Sequence, residues 1–281
     1  MGEPTVGATP PRVMTIAGTD SSGGAGVAAD LRAMAACGVH GCVAVTAVTV
    51  QNSLGVSGVH VLPPEAVAAQ IETVATDIGL DAVKTGMLAG TPTIEAIVAA
   101  CDRVGIGAGG TVPLVLDPVA ASMHGEPLLA DSALDAFRTL LFPRSTIVTP
   151  NLDEVRLLVG IDVHDREAQY AAAVALHALG PRWVLVKGGH LVEDTDECVD
   201  LLHDGSEFVE LPGPRFDTGN THGGGDTMAS AIAAALARGA EVPDAVAFAK
   251  RFVTESVRNA YDLGAGHGPV SPLWAVRPWP P

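Results

Sequence analysis

Val13-Met14-Thr15-Ile16-Ala17 is a short apolar run, Gly18-Thr19-Asp20-Ser21-Ser22-Gly23-Gly24-Ala25-Gly26 is a glycine-rich turn, and Gly26–Cys37 repeats apolar residues at helical spacing. A strand, a loop and a helix in that order make one half of a crossover unit. The alternation continues along the chain. Strands are expected at Cys42–Val50, Ala82–Thr85, Pro113–Asp117, Thr146–Thr149 and Trp183–Lys187. Helices are expected at Pro64–Ile78, Thr91–Val104, Asp131–Leu141, Glu154–Val159, Asp165–Leu179, Asp226–Leu236 and Pro243–Tyr261. This spacing predicts an α/β protein with parallel strands joined by crossover helices. Gly105–Thr111 reads as a surface loop, and neither an internal repeat nor a linker-like stretch divides the chain. One domain over residues 12–275 is therefore expected, behind a disordered N-terminal tail of residues 1–11.

Open parallel sheets collect ligands outside the carboxyl ends of their strands. The chemically interesting segments each follow a strand: Gly18–Gly26, Gln51–Asn52, Gly86–Met87, Asp117–Pro118, Asn151–Glu154 and Lys187–His190. They are expected along one rim, and their convergence says more than any one polar residue among them.

Of 281 residues, 48% are hydrophobic, which is material for a sizeable core. The formal charge of −16 lacks the basic footprint that a nucleic-acid backbone or an anionic bilayer demands, so neither is expected as a partner. A locally positive pocket on an acidic protein still leaves a phosphate-bearing substrate open. Cys37, Cys42, Cys101 and Cys198 show no CxxC pair and no zinc-like spacing, so they read as buried reduced thiols of a cytoplasmic protein. The N-terminal stretch lacks a basic segment followed by an apolar one, and no run resembles a membrane span.

Asn220-Thr221-His222-Gly223-Gly224-Gly225-Asp226-Thr227 opens a strongly apolar helix. Successive glycines let the backbone approach a ligand closely. At a helix start, unpaired N–H groups and the helix dipole favour an anion, and a transferring phosphoryl group is an anion whose charge such a pocket stabilises. Asp226 is placed to accept a proton from a substrate hydroxyl; the alternative is a helix N-cap behind a tight turn. Lys187 ends a buried-type strand, where a cation needs an anionic partner. That partner is either the phosphates of a nucleotide or an internal carboxylate.

Thr221-x-Gly223-x-Gly225-Asp226 resembles the anion-hole signature of ribokinase-like kinases, in which the final Asp is the catalytic base. Ile16–Gly26, Gln51-Asn52, Lys84-Thr85-Gly86-Met87-Leu88, Thr149-Pro150-Asn151-Leu152, Lys187-Gly188-Gly189-His190, Asn220–Gly223 and Gly266-His267-Gly268-Pro269-Val270 resemble, in order, the motifs of hydroxymethylpyrimidine/phosphomethylpyrimidine kinases. The resemblance covers residues 13 to about 273. It implies a three-layer αβα fold with a mostly parallel central sheet, ATP as phosphoryl donor, a magnesium ion and a homodimer. The implied reaction is phosphorylation of hydroxymethylpyrimidine to its monophosphate and then to the diphosphate, on the route to thiamine diphosphate.

By the same resemblance, Gly223, Gly224 and Gly225 form the anion hole, and Thr221, Asn151 and Lys187 meet ATP. Glu154 holds magnesium, largely through water, with Asp117 as a second candidate. A metal that keeps several waters and uses few carboxylates suits such a shell. Asp153 reads as a solvated helix-start charge, and His222 and His190 as structural loop histidines, with a phosphate contact as their alternative. Gln51 resembles the family's pyrimidine-reading glutamine: a carboxamide accepts from the exocyclic amine and donates to the ring nitrogen, as it does with adenine. Asp30 resembles the second polar substrate contact, with a solvated helix face as its alternative. Met87 offers a polarizable surface for the ring, or packs in the core, and Gly18 lets the first loop close on the ligand.

Many family members read Gly-Thr-Gly-Cys where this chain has Gly223-Gly224-Gly225-Asp226. Asp is the base of the wider kinase class and is found in pyridoxal kinases, so pyridoxal or pyridoxine is the alternative acceptor. A non-catalytic pyrimidine-binding sensor is the alternative of another class, against which Asp226, Lys187 and Glu154 together speak. Sugar kinases usually insert lid strands after the first helix; no room for them is seen before Gln51, and no large lid domain is expected.

Overall fold

The computed structural model describes residues 8–120, 131–189, 191 and 197–276. The first part of the expected tail and His190 lie outside the described residues. In chain order the strands are β1 (Arg12–Ala17), β2 (His40–Val45), β3 (Ala47–Asn52), β4 (Gly55–Val61), β5 (Ala82–Thr85), β6 (Leu114–Leu116), β7 (Ile147–Val148), β8 (Trp183–Val186), β9 (Glu197–His203) and β10 (Phe208–Pro214). The helices are α1 (Gly26–Ala36), α2 (Pro64–Asp77), α3 (Thr91–Val104), α4 (Asp131–Ala136), α5 (Leu152–Val159), α6 (Arg166–His177), α7 (Gly224–Ala237) and α8 (Val242–Arg258).

An eight-stranded sheet runs β10-β9-β8-β7-β6-β5-β1-β2. From β2 to β8 all neighbours are parallel, while β9 pairs antiparallel with both β8 and β10. Strand parity sorts the core into two layers. Met14, Ile16, Val83, Leu114, Leu116 and Val184 pack with α2, α3, α5 and α6. Val13, Ala82, Val115, Ile147 and Leu185 pack on the other face with α1, α7 and α8. The result is the expected αβα sandwich. Helix α7 is buried along nearly its whole length, from Thr227 to Ala235, because its small side chains let it lie close to both sheet and helices.

The chain moves outward from β1 to β2 and then returns to lay β5 on the other side of β1. The loops after β1 and β5 therefore part company, and a crevice opens at that switch point.

The expected strand Cys42–Val50 is two strands. At Thr46 the chain leaves the sheet, with the Thr46 amide bonded to Ala17 O at 3.0 Å and its hydroxyl to Met87 O at 2.6 Å. Strand β3 then pairs antiparallel with β4 as a separate two-stranded flap. No large lid is present among the described residues, but this small flap carries Gln51. No described helix is long and apolar enough to cross a membrane.

Candidate active site

Gly223 is the N-cap residue of α7, with φ +77°, a left-handed conformation that glycine adopts without steric cost. A Cβ there would also lie 2.1 Å from the main-chain oxygen of Gly24. Glycine is thus required twice at one position. The Gly224 amide bonds Thr221 O and the Thr227 amide bonds Gly223 O, which leaves the Gly225 and Asp226 amides without an acceptor among the described residues. These first-turn N–H groups and the positive helix end form an anion cradle. Gly223→Ala is expected to lose about 1–3 kcal/mol of stability from overpacking alone. Gly224→Ala, whose new Cβ meets nothing nearer than 3.9 Å, is the control, and thermal melting of both variants checks the difference.

Asp226 does not cap its own helix. Its Oδ2 accepts the Gly26 amide at 3.2 Å, and its Oδ1 lies 2.8 Å from the Lys84 ammonium.

Beside the cradle, Lys187 Nζ lies 3.0 Å from Asp117 Oδ1 and 4.0 Å from Glu154 Oε2. Lys187 therefore has internal carboxylate partners and still lines the cavity. Burial pulls its ammonium toward neutrality, but Asp117 and Glu154 outweigh that and raise its pKa. Burial pushes the Glu154 carboxyl up to about 7, with Lys187 opposing and Asp117 reinforcing. The spacing of Asn151 and Glu154 also has a local cause. Asn151 Oδ1 accepts the Glu154 amide at 2.9 Å, Glu154 Oε2 accepts the Asn151 amide at 2.7 Å, and the pair is a capping box for α5. Two buried carboxylates around one ammonium leave negative charge in excess, a donor set suited to a hard cation. Among the described residues no group of three or more His, Cys, Asp or Glu could hold a metal ion. Asp117 and Glu154 fit magnesium, which takes one or two carboxylates and completes its shell with water and phosphate oxygens.

At the other end, Gly18, Thr19, Thr49, Gln51 and Met87 line the same cavity. The flap is stitched to the first loop: Thr49 N to Thr19 Oγ1 at 3.0 Å, Thr49 Oγ1 to Thr19 O at 2.8 Å, and Ser21 Oγ to Thr49 O at 2.6 Å. Thr49 Oγ1 also lies 3.2 Å from Gln51 Oε1 and orients the carboxamide. Gly18 and Met87 are in contact, since a Cβ at 18 would meet Met87 Cε at 2.6 Å. The cavity has a volume of about 440 Å³ and brings together Gly18, Gln51, Met87, Asp117, Asn151, Glu154, Lys187, Thr221, Gly223, Gly224, Gly225 and Asp226.

Asp30 is the exception. It is fully buried, its oxygens hold Lys84, Thr15 and Ser230, and it does not line the cavity. Both the substrate contact and the solvated face expected of it are corrected. Position 30 lies on the side of α1 that faces the sheet, among the buried Ala29, Ala33 and Met34. Lys84 was missed as a charged group, although a lysine inside Ala82-Val83-Lys84-Thr85 carries the same signal that marked Lys187. Sequence reasoning also missed Asp20, whose Oδ2 meets His222 Nε2 at 2.8 Å and ties the first loop to the cradle. The Gly266–Val270 motif acts through its backbone and through the His267 imidazole, which meets Gly219 O at 2.8 Å. It bonds the flap turn at Ser53 on one side and Gly219, Asn220 and His222 on the other.

Residues 20–271 match the family model described as phosphomethylpyrimidine kinase. The hydroxymethylpyrimidine/phosphomethylpyrimidine kinase of Mycobacterium tuberculosis is 62% identical over 270 residues, 96% of each chain. This chain belongs to the phosphomethylpyrimidine kinase family. A phosphomethylpyrimidine kinase structure from Clostridium difficile aligns with a TM-score of 0.76 at 36% identity, covering 88% of this chain and 99% of that one. The Staphylococcus aureus pyridoxal kinase in complex with AMP-PCP and pyridoxal aligns with a TM-score of 0.85 at 33% identity, covering 96% of each chain. The fold is thus shared with kinases of two ring systems, while the higher sequence identity falls to the pyrimidine kinases.

Proposed function

We propose that this chain transfers the γ-phosphoryl group of ATP to 4-amino-5-hydroxymethyl-2-methylpyrimidine, and then a second one to the resulting monophosphate, in the cytoplasm. The observation that carries the reading is a single cavity lined by an anion cradle and a carboxylate together with a carboxamide and a thioether. The pyrimidine's amine and ring nitrogen meet Gln51, and its face rests on Met87. The terminal phosphate lies against the amides of the Gly223–Asp226 turn, with Lys187 balancing its charge and Asn151 and Thr221 flanking the nucleotide. Asp226 takes the hydroxyl proton as the oxygen attacks phosphorus, and the proton stays on the carboxyl while ADP leaves. Asp117 and Glu154 would hold magnesium, which when bound neutralises charge on the phosphate oxygens.

Turnover of hydroxymethylpyrimidine, its monophosphate and pyridoxal with purified protein tests this; pyridoxal as the better acceptor, or ligand binding without ATP consumption, would overturn it. Gln51→Leu is expected to lower kcat/KM for the aminopyrimidine by roughly 5- to 150-fold, the worth of one bidentate carboxamide contact. Any turnover of pyridoxal, measured in parallel, should change less than that.

A homodimer belongs to the same reading. Val48, Val50, Leu54, Val59 and Val61 are all more than 40% exposed on the flap, and a two-stranded sheet so apolar is marginal when uncovered.

A further inference from the structure

Beneath the proposed base lies a closed polar network that the reaction as described does not use. Lys84 Nζ meets Asp30 Oδ1 at 2.9 Å, Asp30 Oδ2 at 3.0 Å and Asp226 Oδ1 at 2.8 Å. An ammonium has three N–H donors, and all three are engaged. Asp30 is held in turn by Thr15 Oγ1 at 2.6 Å on Oδ2 and by Ser230 Oγ at 2.7 Å on Oδ1. Strand parity assembles the group: Thr15 and Lys84 share the sheet face of Val13 and Ala82, toward α1 and α7. Thr15, Asp30, Lys84 and Ser230 are completely buried, whereas Asp226 lines the cavity. Burial pushes the Asp30 carboxyl up to about 6, with Lys84 opposing and Asp226 adding to the rise, as when two carboxylates share one cation.

We infer that Lys84 is a positioning residue for Asp226, anchored by Asp30, and that it keeps the carboxylate out of the anion cradle. The reason is a competition. A carboxylate in the first turn of a helix is drawn to that helix's own unpaired amides, and the terminal torsion of an Asp side chain is soft. Left to itself, Asp226 would occupy the site meant for phosphate. The charge-assisted bond from Lys84 to Oδ1 holds it away, and Oδ2 accepts the Gly26 amide at the cavity that both residues line. This rests on Asp226 being the base.

The test is a cycle of K84M/D30N, which removes the ammonium without stranding a buried carboxylate, in the wild-type and D226N backgrounds. With the hydroxymethyl acceptor, K84M/D30N should slow wild type by about 10- to 100-fold, the usual cost of a misplaced catalytic group. It should add nothing to D226N, because interacting residues are not additive. The monophosphate acceptor draws on the same cradle, so it should lose activity as well, and that loss too should vanish in D226N. Equal fold losses in both backgrounds, or a monophosphate acceptor left unaffected, would overturn the inference while leaving the base intact. A D226N enzyme that phosphorylates the hydroxyl normally would remove the base and this inference together. If melting shows K84M/D30N unfolded, T15V/S230A keeps every charge and removes only the hydroxyls behind Asp30. It should slow the hydroxymethyl acceptor by roughly 3- to 10-fold, again without effect in D226N; equal losses there would also overturn the inference.

Discussion

Asp226→Asn should slow phosphorylation of the hydroxymethyl acceptor by about 10²- to 10⁴-fold, the range typical of losing a general base, while phosphorylation of the monophosphate falls far less. The asymmetry follows from the acceptors. A primary alcohol must lose its proton as it attacks. A phosphate monoester, with a second pKa of about 6, is already largely dianionic at neutral pH and needs no base. The variant should remain folded, since Lys84 keeps both bonds to Asp30 and Asn is isosteric with Asp. Steady-state rates for each acceptor, measured separately on one preparation, give the answer. Equal losses would show that Asp226 serves the phosphate cradle and not the hydroxyl proton.

The parallel half of the sheet was legible because each buried strand is an apolar run bounded by glycine, proline or a polar turn. The breaks came where those signals were missing. Nothing in the continuous Cys42–Val50 run marks Thr46 as the point of departure; the break is tertiary, made by bonds from Thr46 to Ala17 and Met87. β4 was hidden by Gly55 and Gly58, and β10 by Pro212 and Pro214, which an edge strand tolerates and an interior strand does not. β9 was hidden by Asp200, whose charge is buried against Lys250 at 2.9 Å. Thr91–Val104 agrees at both ends, closed by Gly105 in a left-handed C-cap, whereas the helix expected from Glu154 starts two residues earlier, at Leu152, because Asn151 and Glu154 form its capping box.

The site divides in the same way. Residues that follow strands fall on the rim by topology alone, so Asp117, Asn151, Glu154 and Lys187 were found from their order in the chain. Asp30 and Lys84 were not, because their places depend on which side of α1 and β5 meets α7.

Asp30→Ala separates the two places by experiment. If Asp30 touched substrate, its loss would raise KM and leave the fold alone. Its burial among Lys84, Thr15 and Ser230 predicts the reverse. Removing one partner of a buried ion pair costs about 3–5 kcal/mol, and the two hydroxyls lose their acceptor as well. The melting temperature should fall on the order of 10 °C, and kcat should drop because Lys84 is no longer anchored beneath Asp226. KM for the pyrimidine should stay near its original value in protein that remains folded. Asp30→Asn, which keeps the shape and accepts from at least one hydroxyl, should recover part of the stability. A variant as stable as wild type but with a raised KM would return Asp30 to the substrate.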